Sequence, residues 1–214
     1  MSSASTPRRR SPRGSGEQLR AEIIAAARAL MAAAPSADAV SIRAVAKAVG
    51  VTPPSLYLHF EDKDALLSAV VIDVFDELDA AMVAAGADAP SALQRLRAYG
   101  VAYVRFAVEH PEHYRLATMD PCARPDVDSV LQAGAWTHFN EAVTACMDAG
   151  VFPAGDPVAV TLDLWSAAHG LAALQIAKPF LPWGGTLEEV TSRVLAAAAL
   201  GHTVPDPEAA LESP

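Results

Sequence analysis

Cysteine is scarce in this chain: only Cys122 and Cys146 occur in 214 residues, and they show neither CxxC nor metal-ligand spacing. They read as two ordinary small apolar residues in a reduced, cytosolic setting, a thiol-sensor role for Cys122 in its Pro-rich stretch being the alternative. Aromatic residues make up 6%. Alternating runs rich in Val, Ile and Thr are rare while alanine abounds, a balance that favours helices over sheets. No uninterrupted apolar run reaches the length of a membrane span. The N-terminus is Ser/Pro/Arg-rich without an apolar core, so neither a spanning segment nor a secretory signal is expected, and the chain reads as soluble and cytoplasmic. Also missing are a nucleophile elbow, a phosphate loop, an HExxH pair and paired carboxylates on a recognisable scaffold. An enzymatic role therefore has no positive support, and no cofactor is expected.

Acid outweighs base, 25 residues to 16, for a net charge of −9, but the imbalance is not uniform. Met1 to Asp64 carries nine Lys+Arg against six Asp+Glu (+3), and the remainder seven against nineteen (−12). Such asymmetry assigns any contact with nucleic-acid phosphates to the basic N-terminal end.

Residues 1–16, rich in Ser, Pro and Arg, cannot build a core and read as a disordered basic arm. Glu17 to Ala34 carries a helical stripe, Leu19, Ile23, Ile24, Ala27 and Leu30, closed by Pro35. Ser41 is placed to cap a helix over 42–49, which Gly50 stops. Thr52 caps a short helix that opens on Pro53 and Pro54, where missing N–H groups cost least, and ends near His59-Phe60. Asp62 caps a long helix from Lys63 to about Ala85. Beyond Gly86–Pro90, Ser91 caps a helix to about Glu109 and Pro111 opens a short one through Leu116. After a Pro-rich loop over 120–126, helices follow at about 127–149, 157–177 and 187–200. The expected fold is all-α with about nine helices. Its division is a basic arm (1–16), a three-helix unit (17–77), a helical bundle (78–201) and a flexible tail (202–214).

Two short helices around a Gly-containing turn, SIRAVAKAVGVTPPSLYLHFEDKDALL from Ser41 to Leu67, form a helix-turn-helix layout whose second helix enters the major groove. Val45, Ala46, Val49, Val51 and Leu56 are spaced to pack inward. Arg43, Thr52, Ser55, Tyr57, His59 and Lys63 fall on the outward side, where hydroxyl, imidazole and cationic groups suit phosphate oxygens and base edges. Periodicity alone would equally allow a generic three-helix segment with a polar face. The stretch, however, resembles the N-terminal domain of TetR-family regulators at Ser41, Arg43, Val45, Ala46, Gly50, Val51, Thr52, Ser55, Leu56, Tyr57, His59, Phe60, Lys63 and Leu66. The resemblance implies base-edge contacts from Arg43 and Ser55 and an apolar contact from Pro54 to a thymine methyl. It also implies phosphate contacts from Thr52, Tyr57, His59 and Lys63. Pro53, Pro54 and Leu58 stand where other members often carry polar or basic residues, which shifts specificity toward DNA shape.

The C-terminal half gathers amphipathic aromatics in otherwise aliphatic helices. Each of them alone reads as a core residue. Together, Tyr103, Phe106, Trp136, Phe139, Trp165 and His169 are expected to border a mostly apolar effector pocket. Trp165 and His169, four apart, share a helix face. The run Trp165–Gly170 resembles the Trp–His–Gly signature of a WHG-type C-terminal domain, as does Glu109–Leu116. The cluster Glu109, His110, Glu112, His113 is interrupted by Pro111 and lacks a complementary group, so no metal site is expected. Small residues in the last two helices, among them Gly170, Ala172 and Ala197, suit the close helix contacts through which the family dimerises. The resemblance implies a one-component regulator, with 17–77 as its DNA-binding domain and 78–201 as its effector-binding and dimerisation domain, and a repressor by the family's usual mode. It would bind a palindromic double-stranded operator as a homodimer and be released by a small effector. A ligand-independent DNA-binding protein and a small-molecule binding module with vestigial DNA affinity are the alternatives.

Overall fold

The computed structural model of the chain describes residues 15–34, 39–118 and 132–203. The expected basic arm (residues 1–14 of it), Pro35, the Pro-rich loop with Cys122, residues 127–131 and residues 204–214 of the tail lie outside these. Nine α-helices occur among the described residues, and no strand: α1 Ser15–Ala33, α2 Ile42–Val49, α3 Pro53–Leu56, α4 Lys63–Gly86, α5 Ala92–Glu109, α6 Pro111–Thr118, α7 Thr137–Asp148, α8 Pro157–Ala177 and α9 Leu187–Gly201. A wide turn over Gln132–Trp136, bent at Gly134, leads into α7. The chain divides into two compact units, residues 1–70 and 71–214.

The caps fall where local chemistry places them. Ser41 Oγ accepts the Ala44 N–H at 3.2 Å, Asp62 Oδ1 accepts that of Ala65 at 2.6 Å, and Ser91 Oγ accepts that of Gln94 at 3.3 Å. Each satisfies one of the N–H groups that a helix start leaves without a partner. Gly50 adopts φ 76°, ψ 28°, the left-handed conformation that ends α2 and that glycine enters without a Cβ clash. The first unit buries Ile23, Ala27, Val45, Ala46, Leu56 and Phe60 where α1, α2 and α3 meet.

In the second unit α5 is the central helix, packed against α7, α8 and α9. From Tyr99 to Ala107 all but Arg105 are buried. At the α5–α9 crossing a Cβ on Gly100 would displace the end of the Leu195 side chain, whose Cδ1 occupies that space. No helix among the described residues is long and apolar enough to cross a membrane.

Candidate nucleic-acid interface and ligand pocket

The helix-turn-helix is assembled from short-range bonds. The Val51 N–H closes the turn on Ala46 O at 2.9 Å. α3 is a single turn: the Tyr57 N–H bonds Pro53 O, and the chain then tightens as His59 and Phe60 both donate to Leu56 O at 2.9 and 3.0 Å. The helix expected to reach His59-Phe60 thus stops four residues in, because Leu56 and Phe60 must both turn inward, with exposures of 1% and 5%. Arg20 covers the Phe60 ring at 5.1 Å. Thr52 occupies the N-cap position without capping; its Oγ1 lies 3.0 Å from Ser55 Oγ instead.

This geometry leaves Arg43, Thr52, Pro54 and Tyr57 exposed, with Ser55, His59 and Lys63 half-buried. Leu58, 84% exposed, stands out among them as an apolar side chain with nothing of its own unit to cover it. Tyr57 and His59 project from the turn after α3 rather than from the helix. Neither α2 nor α3 contains an acidic residue, and Lys47 adds a second exposed cation on α2. After α3, exposed carboxylates begin only at Glu61, Asp62 and Asp64 around Lys63, so the face of α2 and α3 is the part of the array that suits a polyanion.

In the second unit the structure brings together Tyr103, Trp136, Phe139 and Trp165. With Met82 and Ala135 they line a gap of about 20 Å³, room for a single water. Trp136 and Trp165 meet edge to face at 6.1 Å, and Trp165 and His169 lie 5.9 Å apart. The Tyr114 and Tyr103 hydroxyls lie 2.6 and 3.2 Å from His169 Nδ1. Burial pushes the His169 pKa down and those of Tyr103 and Tyr114 up, so all three are held neutral. Sequence reasoning did not place Tyr114 in this group. It stands 55 residues from His169, and no local spacing signals the pair.

Phe106 is not part of this cluster. It tilts against His110, ring centres 5.0 Å apart, and borders a separate groove with Glu77 and Ala81. Beside the cluster, Asp79 of α4 pairs with His138 Nδ1 at 2.7 Å and closes on Gly134. Glu112 is engaged by Arg115 at 3.2 Å, and no metal-holding group of three or more His, Cys, Asp or Glu gathers among the described residues. Cys146 is buried, and that burial raises its thiol pKa.

Two family models match the chain, bacterial regulatory proteins of the tetR family over residues 23–70 and the tetracyclin repressor-like C-terminal domain over residues 96–198. The chain belongs to the TetR family. It is a transcriptional regulator with a DNA-binding and a ligand-binding domain, in a family of regulators rather than enzymes. The Trp165–Gly170 run lies inside the second match. The regulator EthR of Mycobacterium tuberculosis is 28% identical over 199 residues, covering 87% of this chain and 90% of that protein. A protein of unknown function from Rhodococcus sp. RHA1 superposes with a TM-score of 0.74 at 28% identity, covering 87% and 96% of the two chains. RolR in complex with its ligand resorcinol shares the fold, with a TM-score of 0.64 at 20% identity, covering 92% and 93%.

Proposed function

We propose that this regulator is a repressor that binds a two-fold symmetric operator as a homodimer and is released when a small, mostly apolar effector enters the second unit. The observation that carries the reading is the exposed array on and around α3. Arg43, Thr52, Pro54 and Tyr57 face outward, flanked by Ser55, His59 and Lys63, with no carboxylate in α2 or α3. Arg43 and Ser55 are assigned to base edges, Pro54 to a thymine methyl, and Thr52, Tyr57, His59 and Lys63 to phosphates. Exposed Leu58 favours a close apolar fit to the groove.

Tyr103, Trp136, Phe139, Trp165 and His169 are assigned to the effector, with Tyr114 joining them as the partner of His169. Aromatic walls around a neutral imidazole and two hydroxyls suit a small flat molecule with a hydrogen-bonding edge. RolR, of the same fold, holds such a molecule in resorcinol. The gap beside Trp165 admits one water, so this conformation is the closed one and entry must displace its lining. Met82 and Asp79 of α4 belong to that lining and its margin. Displacing them acts on the same helix that begins at Lys63. The effector releases DNA to the extent that it binds the open conformation more tightly.

The test is a gel-shift titration at several salt concentrations on a duplex selected from a random pool. Lys63→Ala lowers the salt slope by about one unit and weakens binding on all sequences alike. Arg43→Ala instead narrows the difference between the selected site and mutated ones. Unchanged slope and discrimination in both variants would refute the assignment of the reading head.

A further inference from the structure

A larger apolar pocket than the one beside Trp165 opens elsewhere in the second unit. It measures about 160 Å³ and lies between α5 and α9, walled chiefly by Leu93, Leu96, Phe139, Leu164, Leu195 and Ala199. An apolar space of this size has room for a benzene-sized guest, and its walls offer water few partners. Polar side chains reach this one only from Arg97 and Ser192. The Arg97 Nε donates to Ser192 Oγ at 2.7 Å, which ties the guanidinium to the cavity's edge.

The charges around that edge are unevenly matched. Arg97 Nη2 lies 3.4 Å from one oxygen of Glu188, and Arg105 Nη2 lies 3.8 Å from the other. Two guanidinium groups share a single carboxylate. Asp88 borders the same open groove and forms no ion pair with either arginine. The Arg97–Glu188 pair is long and more than half exposed on both sides, so it contributes little and gives way easily. A second carboxylate arriving at Arg97 would leave Glu188 with Arg105, and each cation would then hold one anion.

We propose that this cavity binds a compact carboxylate, its ring or branched alkyl body filling the apolar space and its carboxylate held by Arg97 with Ser192 alongside. Volume selects a body of about six carbons, since one that leaves the walls uncovered forfeits their contacts. The planar guanidinium selects a planar anion over an alcohol of the same shape, because it offers a carboxylate two parallel N–H donors. Phe139 also borders the gap beside Trp165, so the two spaces are neighbours. The proposal does not depend on operator release, because binding is read directly on the DNA-free protein.

The experiment titrates the full chain calorimetrically with cyclohexanecarboxylate and, in parallel, with cyclohexylmethanol. The carboxylate binds more tightly. Arg97→Gln, at a surface position that leaves folding intact, weakens the carboxylate about tenfold and leaves the alcohol unchanged, the loss of one charged hydrogen-bonded pair. Ala199→Phe fills the cavity and abolishes both. Gly100→Ala repeats that test from outside the cavity, by pushing Leu195 into it. Equal affinity for acid and alcohol, an Arg97→Gln variant that keeps the acid, binding that survives both filling variants, or no heat from either ligand at millimolar concentration would each overturn the proposal.

Discussion

His169 Nδ1 lies within hydrogen-bond distance of the Tyr114 and Tyr103 hydroxyls, and the proton count of the ring bears on the stability of the second unit. Burial sets its pKa below the ordinary 6.5. Between that lowered value and 6.5 the unfolded chain binds more protons than the folded one, so stability rises with pH across the window and levels off above it. The melting temperature is therefore expected to fall as pH drops from about 7 to about 5. His169→Gln removes the titrating ring and flattens that fall; a variant with the wild-type slope would place the titration elsewhere. Gly50 makes a second prediction at this scale. A Cβ there meets no neighbour within 4 Å, so the strain of alanine is purely that of φ 76°. Gly50→Ala is expected to cost about 1–2 kcal/mol in urea unfolding.

At the scale of elements, α9 begins with a reciprocal cap. Thr186 Oγ1 accepts the Glu189 N–H at 3.3 Å, and the Glu189 carboxylate accepts the Thr186 N–H at 2.8 Å, which holds the Glu189 pKa down. Thr186→Ala is expected to lose about 1 kcal/mol, read as a lower urea midpoint with an unchanged slope. Caps of this kind are legible in a sequence because donor and acceptor stand three residues apart. Ser41, Asp62 and Ser91 were readable for the same reason. The neighbours of α5 were not. A helix buried on nearly every side carries no apolar stripe, so spacing alone does not say that Tyr103 faces Trp165 while Phe106 faces His110. The length of α3 escaped as well, since it is set by Leu56 and Phe60 finding the same core.

For the whole molecule, the exposed apolar side chains on and between α8 and α9 are the main support for pairing with a second copy. Val158, Leu162, Leu174, Phe180, Leu181 and Leu200 all stand exposed, Phe180 at 99%. Gly170 lies on the same exposed side of α8 as Leu162 and Leu174, and a Cβ there would meet nothing in its own chain. Ala172, one of the small residues expected at such a contact, is instead fully buried within its own bundle. A charge at Ala172 would damage folding, whereas one at Leu174 tests pairing. Leu174→Glu is expected to sediment as a folded monomer where the wild type sediments as a dimer, because desolvating a lone carboxylate costs several kcal/mol. A wild type that sediments as a monomer at micromolar concentration would remove the homodimer from the proposal.

The sequence by itself determined the helical class, the capped helix starts at Ser41, Asp62 and Ser91, the left-handed turn at Gly50 and the family. Each of these is written in residues a few positions apart, or in a motif of fixed spacing. Only the tertiary structure decided that Tyr114 meets His169, that Phe106 sits apart from Trp136 and Trp165, and that Ala172 turns inward while Gly170 turns out. It also decided that the larger apolar space lies beside Arg97. These outcomes depend on which faces of distant helices meet, and side-chain periodicity within one helix carries no record of its neighbour.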